Sequence, residues 1–425
     1  MASEIVVIGG GTAGTRLARQ LGAGARVTVL AEESHAPYNR VLLAEVLAGR
    51  YGPEVIALPE VPVRRGVRAA SVDRERRLVH CADGTSVPYD RLVLATGSNP
   101  VLPPLRGIGP GLPEGVHPFR TMDDCAALSE AVVPGIRAVV VGGGLLGVSA
   151  ARALASRGAR VVLAQQGEHL MERQLDVSAS ALLRTHLESL GVEVHTECRV
   201  RGLRCGDDGA VSAVALADGY ALEAEIVVLA CGVRPRVGLA VDAGLEVRRG
   251  IVVDDELRTS DPRIHAIGDC AEHAGVVHGL AGPALEQADV LASVLKAEAE
   301  ADTGAAPRRT GAAPRYTGTR ALTRLTLTAP VPAVESERHP HSMAGPLDLA
   351  AFGDPTPRPG DDVVQLADAT RGAYRKVVVR GDRLVGGVLL GDLASVGALA
   401  RAWEGDEALP DSVPLLHLLT NDGGL

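Results

Sequence analysis

The chain opens on four consecutive β-branched residues, Ile5-Val6-Val7-Ile8, which run into Gly9-Gly10-Gly11-Thr12-Ala13-Gly14 and then a stretch of helical spacing from Thr15 to Leu21. A short apolar run stopped by glycines predicts a buried strand, a tight turn and a helix. Arg26 to Leu30 predicts a second strand, and Val41 to Leu47 an apolar helix behind the turn-rich Ala36-Pro37-Tyr38-Asn39-Arg40. Alternation from Val67 through His80, a turn at Asp83-Gly84 and the pair Ser86-Val87 predict a small antiparallel meander. Arg91 to Leu94 predicts another buried strand leading to a turn at Thr96-Gly97. Pro100, Pro103, Pro104, Pro110 and Pro113 then break regular structure and put a domain boundary there.

The same pattern recurs. Arg137 to Val141 predicts a strand, Gly142-Gly143-Gly144-Leu145-Leu146-Gly147 repeats the glycine spacing, Val148 to Ser156 predicts a helix and Arg160 to Ala164 the next strand. A helix over Val177 to Leu190 and strands near Val192 to Val200, Val211 to Leu216 and Ile226 to Ala230 follow, ending at Gly232. From Glu298 to Arg315 the composition shifts to Ala, Thr, Gly, Pro and Arg, a linker signature. Strands over Leu322 to Thr328, Val363 to Leu366, Tyr374 to Arg380 and Leu384 to Leu390, with a helix from Ala394 to Trp403, then predict a small α+β domain.

Strand, GxGxxG and helix in succession have a chemical use. The first glycine makes the turn, the second lets backbone approach a pyrophosphate, and the third lets helix pack on strand, while the helix N-terminus faces the phosphates. Glu32 and Glu33, at the end of the second strand, stand where an acid would meet the adenosine ribose. Arg40 reads equally as a phosphate contact or as a solvated arginine at a helix start. Two such units predict an α/β chain of two Rossmann-like dinucleotide-binding domains plus the small C-terminal domain. Two sites imply two dinucleotides, and the economical pairing is a flavin that stays with a nicotinamide cofactor that comes and goes.

Composition narrows this further. A length of 425 residues suits two or three domains, and with aromatics at only 2% the cores must be built from Ala, Val and Leu. A net charge of −9 argues against nucleic acid. The six cysteines, at 81, 125, 198, 205, 231 and 270, form no CxxC pair, so neither zinc nor a cysteine-ligated cluster is indicated. His339 and His341 in a Pro-rich loop read as solvated rather than metal-bound. Met1 leads almost at once into the first strand, with no leader pattern, and no uncharged run exceeds that from Ala138 to Ala151, which is too short to span a bilayer. A cytoplasmic protein is expected.

The motifs GGGTAG, LVLATGS, VVVGGGLLG, VLACGVRP and IHAIGDCAE, in that order, resemble the two-dinucleotide-domain FAD/NAD(P) oxidoreductases, the pyridine nucleotide-disulfide oxidoreductase superfamily that includes glutathione reductase and the ferredoxin and rubredoxin reductases. PYNRVLLAEVLAG, LMERQLD, GIVVDDELRTSDPRIHAIGDCA and KVVVRGDRLVGGVLLGD look most like the flavin-containing N-terminal part of the assimilatory NAD(P)H nitrite reductase large subunit. The resemblance implies an FAD domain over residues 1–108 and 238–300, an NAD(P) domain over 109–237, a linker over 301–315 and an interface domain over 316–425. Gly9, Gly11, Thr12, Ala13 and Gly14 would hold the FAD pyrophosphate, Glu32 or Glu33 the ribose, Thr96 and Gly97 would lie along the flavin, and Asp269 would bind the ribityl chain. The helix beginning near Pro283 would aim its positive end at the flavin. Gly142, Gly144, Leu145, Leu146 and Gly147 would bind NAD(P)H, with Gln165 at the ribose and Gly232 lining the crevice.

The chain also departs from that family's pattern. Residues 38–47 contain no cysteine, so electrons should leave the flavin directly. Ser149 stands where a glutamate is usual, and Glu45 where ferredoxin reductases have lysine. Gln165 and Gln166 stand in place of the acid that selects NADH, and the nearest cations are His169 and Arg173, so NADH and NADPH both stay open. The four cysteines that siroheme and its cluster need are missing, so nitrite itself would be reduced by a partner. The expected function is an FAD-dependent NAD(P)H oxidoreductase. Hydride passes from nicotinamide C4 to flavin N5, then single electrons pass to a redox protein, either a nitrate or nitrite reductase component or a ferredoxin or rubredoxin. The chemistry is the flavin's, so no protein group is named as catalytic. A flavin-binding partner or sensor that scarcely reacts with NAD(P)H is the reading from another class, motivated by Ser149, Gln165 and Glu45.

Overall fold

The computed structural model describes residues 3–302, 314–328, 345–410 and 414–420, and the chain divides into two compact units. The first comprises Met1–Leu42, Gly52–Asn99 and Val233–Thr319; the second comprises Leu43–Tyr51, Pro100–Gly232 and Arg320–Leu425. His339 and His341 lie outside the described residues.

In the first unit a parallel sheet runs in the order Ile264–Ala266, Arg91–Leu94, Glu4–Ile8, Arg26–Leu30, Val63–Arg64. Val6, Val7, Leu92, Val93 and Ile264 are buried, as strands covered on both faces require, so the sequence there is continuously apolar rather than alternating. The strand order reverses at Glu4–Ile8, since Arg26–Leu30 is added on one side of it and Arg91–Leu94 on the other. Ligands of such sheets bind beyond the carboxyl ends of the strands at this point. The first helix spans Thr12–Leu21, starting earlier than its spacing suggests because Gly11 is itself the N-cap. The long helix Ala281–Asp302 packs on it, with Asp289 accepting from Arg16 Nε and Nη2 at 2.7 and 2.8 Å and from Gln20 at 2.7 Å. Pro283 sits in its first turn, where a missing N–H costs nothing. The expected meander is Ala69–Asp73, Leu78–Cys81 and Ser86–Pro88.

The second unit repeats the design: a parallel sheet in the order Val192–His195, Arg160–Ala164, Arg137–Val141, Ile226–Leu229, Val116–Pro118. Its glycine turn leads into the helix Leu145–Ser156, again capped by the second glycine, Gly144. The C-terminal part is a five-stranded antiparallel sheet in the order Leu322–Leu327, Leu347–Gly353, Arg383–Leu390, Ala373–Arg380, Asp362–Asp368, with the helix Val396–Glu404 against it. The strand Leu347–Gly353 had no counterpart in the sequence reading. Leu349 through Phe352 are all buried, so its sequence lacks the alternation that marks a half-exposed strand. Phe352 meets Trp403 with ring centroids 5.4 Å apart. Within this unit Asp176, the N-cap of helix Val177–Ser189, accepts from Lys376 Nζ at 2.8 Å and from Tyr374 Oη at 2.7 Å, pinning the C-terminal sheet to that helix. Burial pushes the Asp176 carboxyl up, but the bonds from Lys376, the Ala179 amide and Tyr374 outweigh it and hold it below its ordinary value.

Candidate functional site

The two glycine turns are built alike. In the first, Gly9 has φ +123° and a Cβ there would stand 2.0 Å from the Ala95 carbonyl oxygen, while a Cβ on Gly14 would stand 2.1 Å from the Gly9 oxygen. In the second, a Cβ on Gly142 would meet the Ala230 oxygen at 2.5 Å and one on Gly147 the Gly142 oxygen at 1.7 Å. The first and third glycines are thus required by the protein's own backbone. The middle ones are not: a Cβ on Gly11 or Gly144 would have nothing within 4 Å. These two glycines face open space at the carboxyl ends of the central strands.

Both helices start there without a side-chain cap and without an acid in the first turn. Two other helices are capped by side chains: Thr121 and Asp124 form a capping box on Met122–Ala131, and Asp176 caps Val177–Ser189. An uncapped N-terminus leaves amide donors and the positive end of the dipole to an anion.

Around the first turn the structure gathers most of the residues singled out above. Thr96 Oγ1 donates to the Arg236 carbonyl at 2.7 Å, and Gly97 accepts from the Arg236 amide at 2.9 Å. Asp269 accepts from Ser98 Oγ at 2.9 Å, and the Gly268 amide donates to buried Gln287 at 2.7 Å. Gly268 lies against the helix start, since its Cβ would come 3.2 Å from that of Ala13. The two acids part company. Glu33 has both oxygens engaged, one by Tyr38 Oη at 2.7 Å and one by Arg40, whose guanidinium lies 5.2 Å over the Tyr38 ring. Glu32 is bound by Arg236 through one oxygen, and among the described residues nothing donates to the other.

Around the second turn Gln165 follows Arg160–Ala164, and its Oε1 accepts from the Gly143 amide at 2.8 Å. Gly232, with φ +95°, follows Ile226–Leu229 and has open space where a Cβ would be. Ser149 is half-buried on the helix. His169 holds its Nε2 3.2 Å from the Leu175 carbonyl, and Arg173 is exposed. Glu45 is no isolated oddity: it meets the buried Arg152, a residue the sequence pattern does not single out. A cavity of about 470 Å³ in this unit, lined by Arg184, His195, Cys198, Arg199 and Asp218 among others, contains none of the glycine-turn residues. All six cysteines are free thiols, no His/Cys/Asp/Glu group suited to a metal occurs among the described residues, and no helix among them is long and apolar enough to cross a membrane.

Comparison with known proteins agrees with this architecture. Residues 3–301 match the model of the pyridine nucleotide-disulphide oxidoreductases. The chain belongs to that family. It is an oxidoreductase by membership, without the redox cysteine pair the family name refers to. Residues 345–405 match the rubredoxin NAD+ reductase C-terminal domain. Nitrite reductase [NAD(P)H] of Bacillus subtilis (strain 168) is 32% identical over 435 residues, covering 99% of this chain and 50% of that protein. Rubredoxin-NAD(+) reductase of Pseudomonas putida is 34% identical over 279 residues, 63% of this chain and 71% of that protein. This chain therefore spans about half the length of the nitrite reductase it matches. Among solved structures, the covalent putidaredoxin reductase–putidaredoxin complex matches with a TM-score of 0.81 at 24% identity, covering 99% of both chains, a likeness of fold.

Proposed function

We propose that the protein is an FAD-dependent NAD(P)H reductase that passes electrons to a redox protein, FAD lying on the first glycine turn and NAD(P)H on the second. The observation that carries this is the pair of uncapped helix starts, each behind a middle glycine that faces open space. Gly11 and the amides of Thr12 and Ala13 would receive the FAD pyrophosphate, and Glu32, with its unengaged oxygen, would take the ribose rather than Glu33. Thr96, Gly97 and Asp269 would flank the flavin, and the first turn of Ala281–Asp302 would stabilise negative charge on it, a helix-end effect of about 0.3–2 kcal/mol. Gly144, Leu145 and Leu146 would receive the NAD(P)H pyrophosphate, beside Gln165 and Gly232. Bound FAD supplies the conversion of a two-electron hydride donor into a one-electron source. The protein's part is to bind, orient and shield.

The acceptor we infer is a small redox protein or a nitrate or nitrite reductase component. Its support is the relatives' own descriptions: a nitrite reductase, a rubredoxin reductase, and a reductase solved bound to putidaredoxin. Anaerobic mixing of the FAD-loaded protein with NADH and with NADPH tests the core of the reading. Rapid bleaching of the flavin by either is expected. A flavin that dithionite reduces but neither nicotinamide does would move the protein to the class of flavin-binding partners or sensors.

A further inference from the structure

The second glycine turn carries a negative charge that Gln165, taken alone, does not reveal. In nucleotide-binding folds the residue after the second strand faces the adenosine ribose, where an acid binds the 2′-hydroxyl and an arginine accommodates a 2′-phosphate. Gln165 occupies that position, and its amide is held: Oε1 accepts from the Gly143 amide at 2.8 Å, which turns Nε2 towards Glu172 Oε2, 3.5 Å away. The other Glu172 oxygen accepts from the Glu168 amide at 2.9 Å. Residue 167 is glycine where this carboxylate packs, and a Cβ there would lie 2.0 Å from Glu172 Oε1. Any larger residue would displace the acid from the Gln165 amide.

We propose that Glu172 is the specificity-determining residue of the nicotinamide site and selects NADH over NADPH. The inference rests on the reading of the second turn as the NAD(P)H site. A 2′-phosphate carries up to two negative charges, and it would arrive beside a fixed carboxylate where NADPH enzymes place a cation. Two cations lie on the same loop. His169 turns its Nε2 to the Leu175 carbonyl, and Arg173 is exposed and, unlike Glu172, held by no hydrogen bond or ion pair among the described residues. Glu168 adds a further acid on the same loop.

Titration calorimetry of the FAD-loaded protein, its flavin reduced beforehand so that no hydride can pass, with NADH, NADPH, ADP and 2′,5′-ADP separates the possibilities. The wild type should bind NADH at least ~10-fold more tightly than NADPH, a difference of about 1.4 kcal/mol, and the ratio should shrink as salt is raised. Glu172→Gln should narrow the ratio through tighter binding of NADPH and 2′,5′-ADP, leaving NADH and ADP nearly unchanged; a merely structural role would move all four together. An unchanged ratio in Glu172→Gln, or a wild type that prefers NADPH and loses that preference in Arg173→Ala, overturns the role of Glu172 while leaving the nucleotide site standing. Binding of none of the four overturns the site itself, and the inference with it.

Discussion

Arg152 and Glu45, 107 residues apart in sequence, form a buried ion pair: Arg152 Nη2 lies 2.5 Å from Glu45 Oε1, and their side chains are 2% and 12% exposed. Thr328 completes the group, accepting from Arg152 at 2.7 Å and donating to Glu45 at 3.1 Å. Burial pulls the Arg152 guanidinium below its ordinary value and Glu45 opposes that pull. Glu45 is thus the counter-ion of a cation that has no other carboxylate partner among the described residues.

Removing one member strands the other. Arg152→Ala and Glu45→Gln should each destabilise by about 3–5 kcal/mol, and Glu45→Lys, which gives the residue usual in ferredoxin reductases, should be worse because it sets two cations together. Arg152→Met combined with Glu45→Met should recover much of the loss. Urea denaturation of the four variants checks this. Equal stability of Glu45→Lys and the wild type would show the pair to be dispensable.

Glycine substitutions should split into two classes. Gly14→Ala and Gly147→Ala force a methyl into a carbonyl oxygen and should lower stability by at least ~1–3 kcal/mol. Gly11→Ala and Gly144→Ala meet no protein atom within 4 Å, so the melting temperature of the ligand-free protein should hardly change. The first should nevertheless purify without flavin colour, and the second should keep the flavin but lose nicotinamide binding.

His265 is fully buried with neither ring nitrogen hydrogen-bonded, and burial depresses its pKa from 6.5 to about 4. The unfolded chain takes up that proton first as pH falls, so stability is complete above pH 6.5 and declines between 6.5 and about 4. At about 1.4 kcal/mol per unit the full penalty approaches ~3 kcal/mol. His265→Leu should remove this limb of the pH profile, measured by thermal melts across the range; a wild type equally stable at pH 7 and pH 4.5 would contradict it.

Asp176 acts in the same direction but at more acid pH. Its carboxyl lies below the ordinary value, so its contribution is complete above the unfolded pKa of about 4 and is lost as pH drops below it. Lys376→Met should cost about 1–3 kcal/mol near neutrality, less than a fully buried pair because Asp176 is 23% exposed. It should also flatten this acid limb. Limited proteolysis of that variant should release the C-terminal sheet sooner than in the wild type.

Both dinucleotide folds were legible in the sequence, because strand, glycine turn and helix lie within a few residues of one another and their requirements are local. Steric need at Gly9, Gly14, Gly142 and Gly147 and openness at Gly11 and Gly144 follow from the spacing alone. The strand Leu347–Gly353 escaped because burial on both faces erases alternation. What only the tertiary structure decided is which charges meet. Glu32 and Glu33 are adjacent, yet Tyr38 and Arg40 claim one while Arg236, 204 residues away, leaves the other an oxygen. Arg152 looks like a surface helix residue until Glu45 and Thr328 close over it, and Gln165 looks neutral until the loop returns Glu172 to its side. Backbone propensity and apolar periodicity are properties of short segments; an electrostatic environment is a sum over neighbours that the chain assembles only by folding.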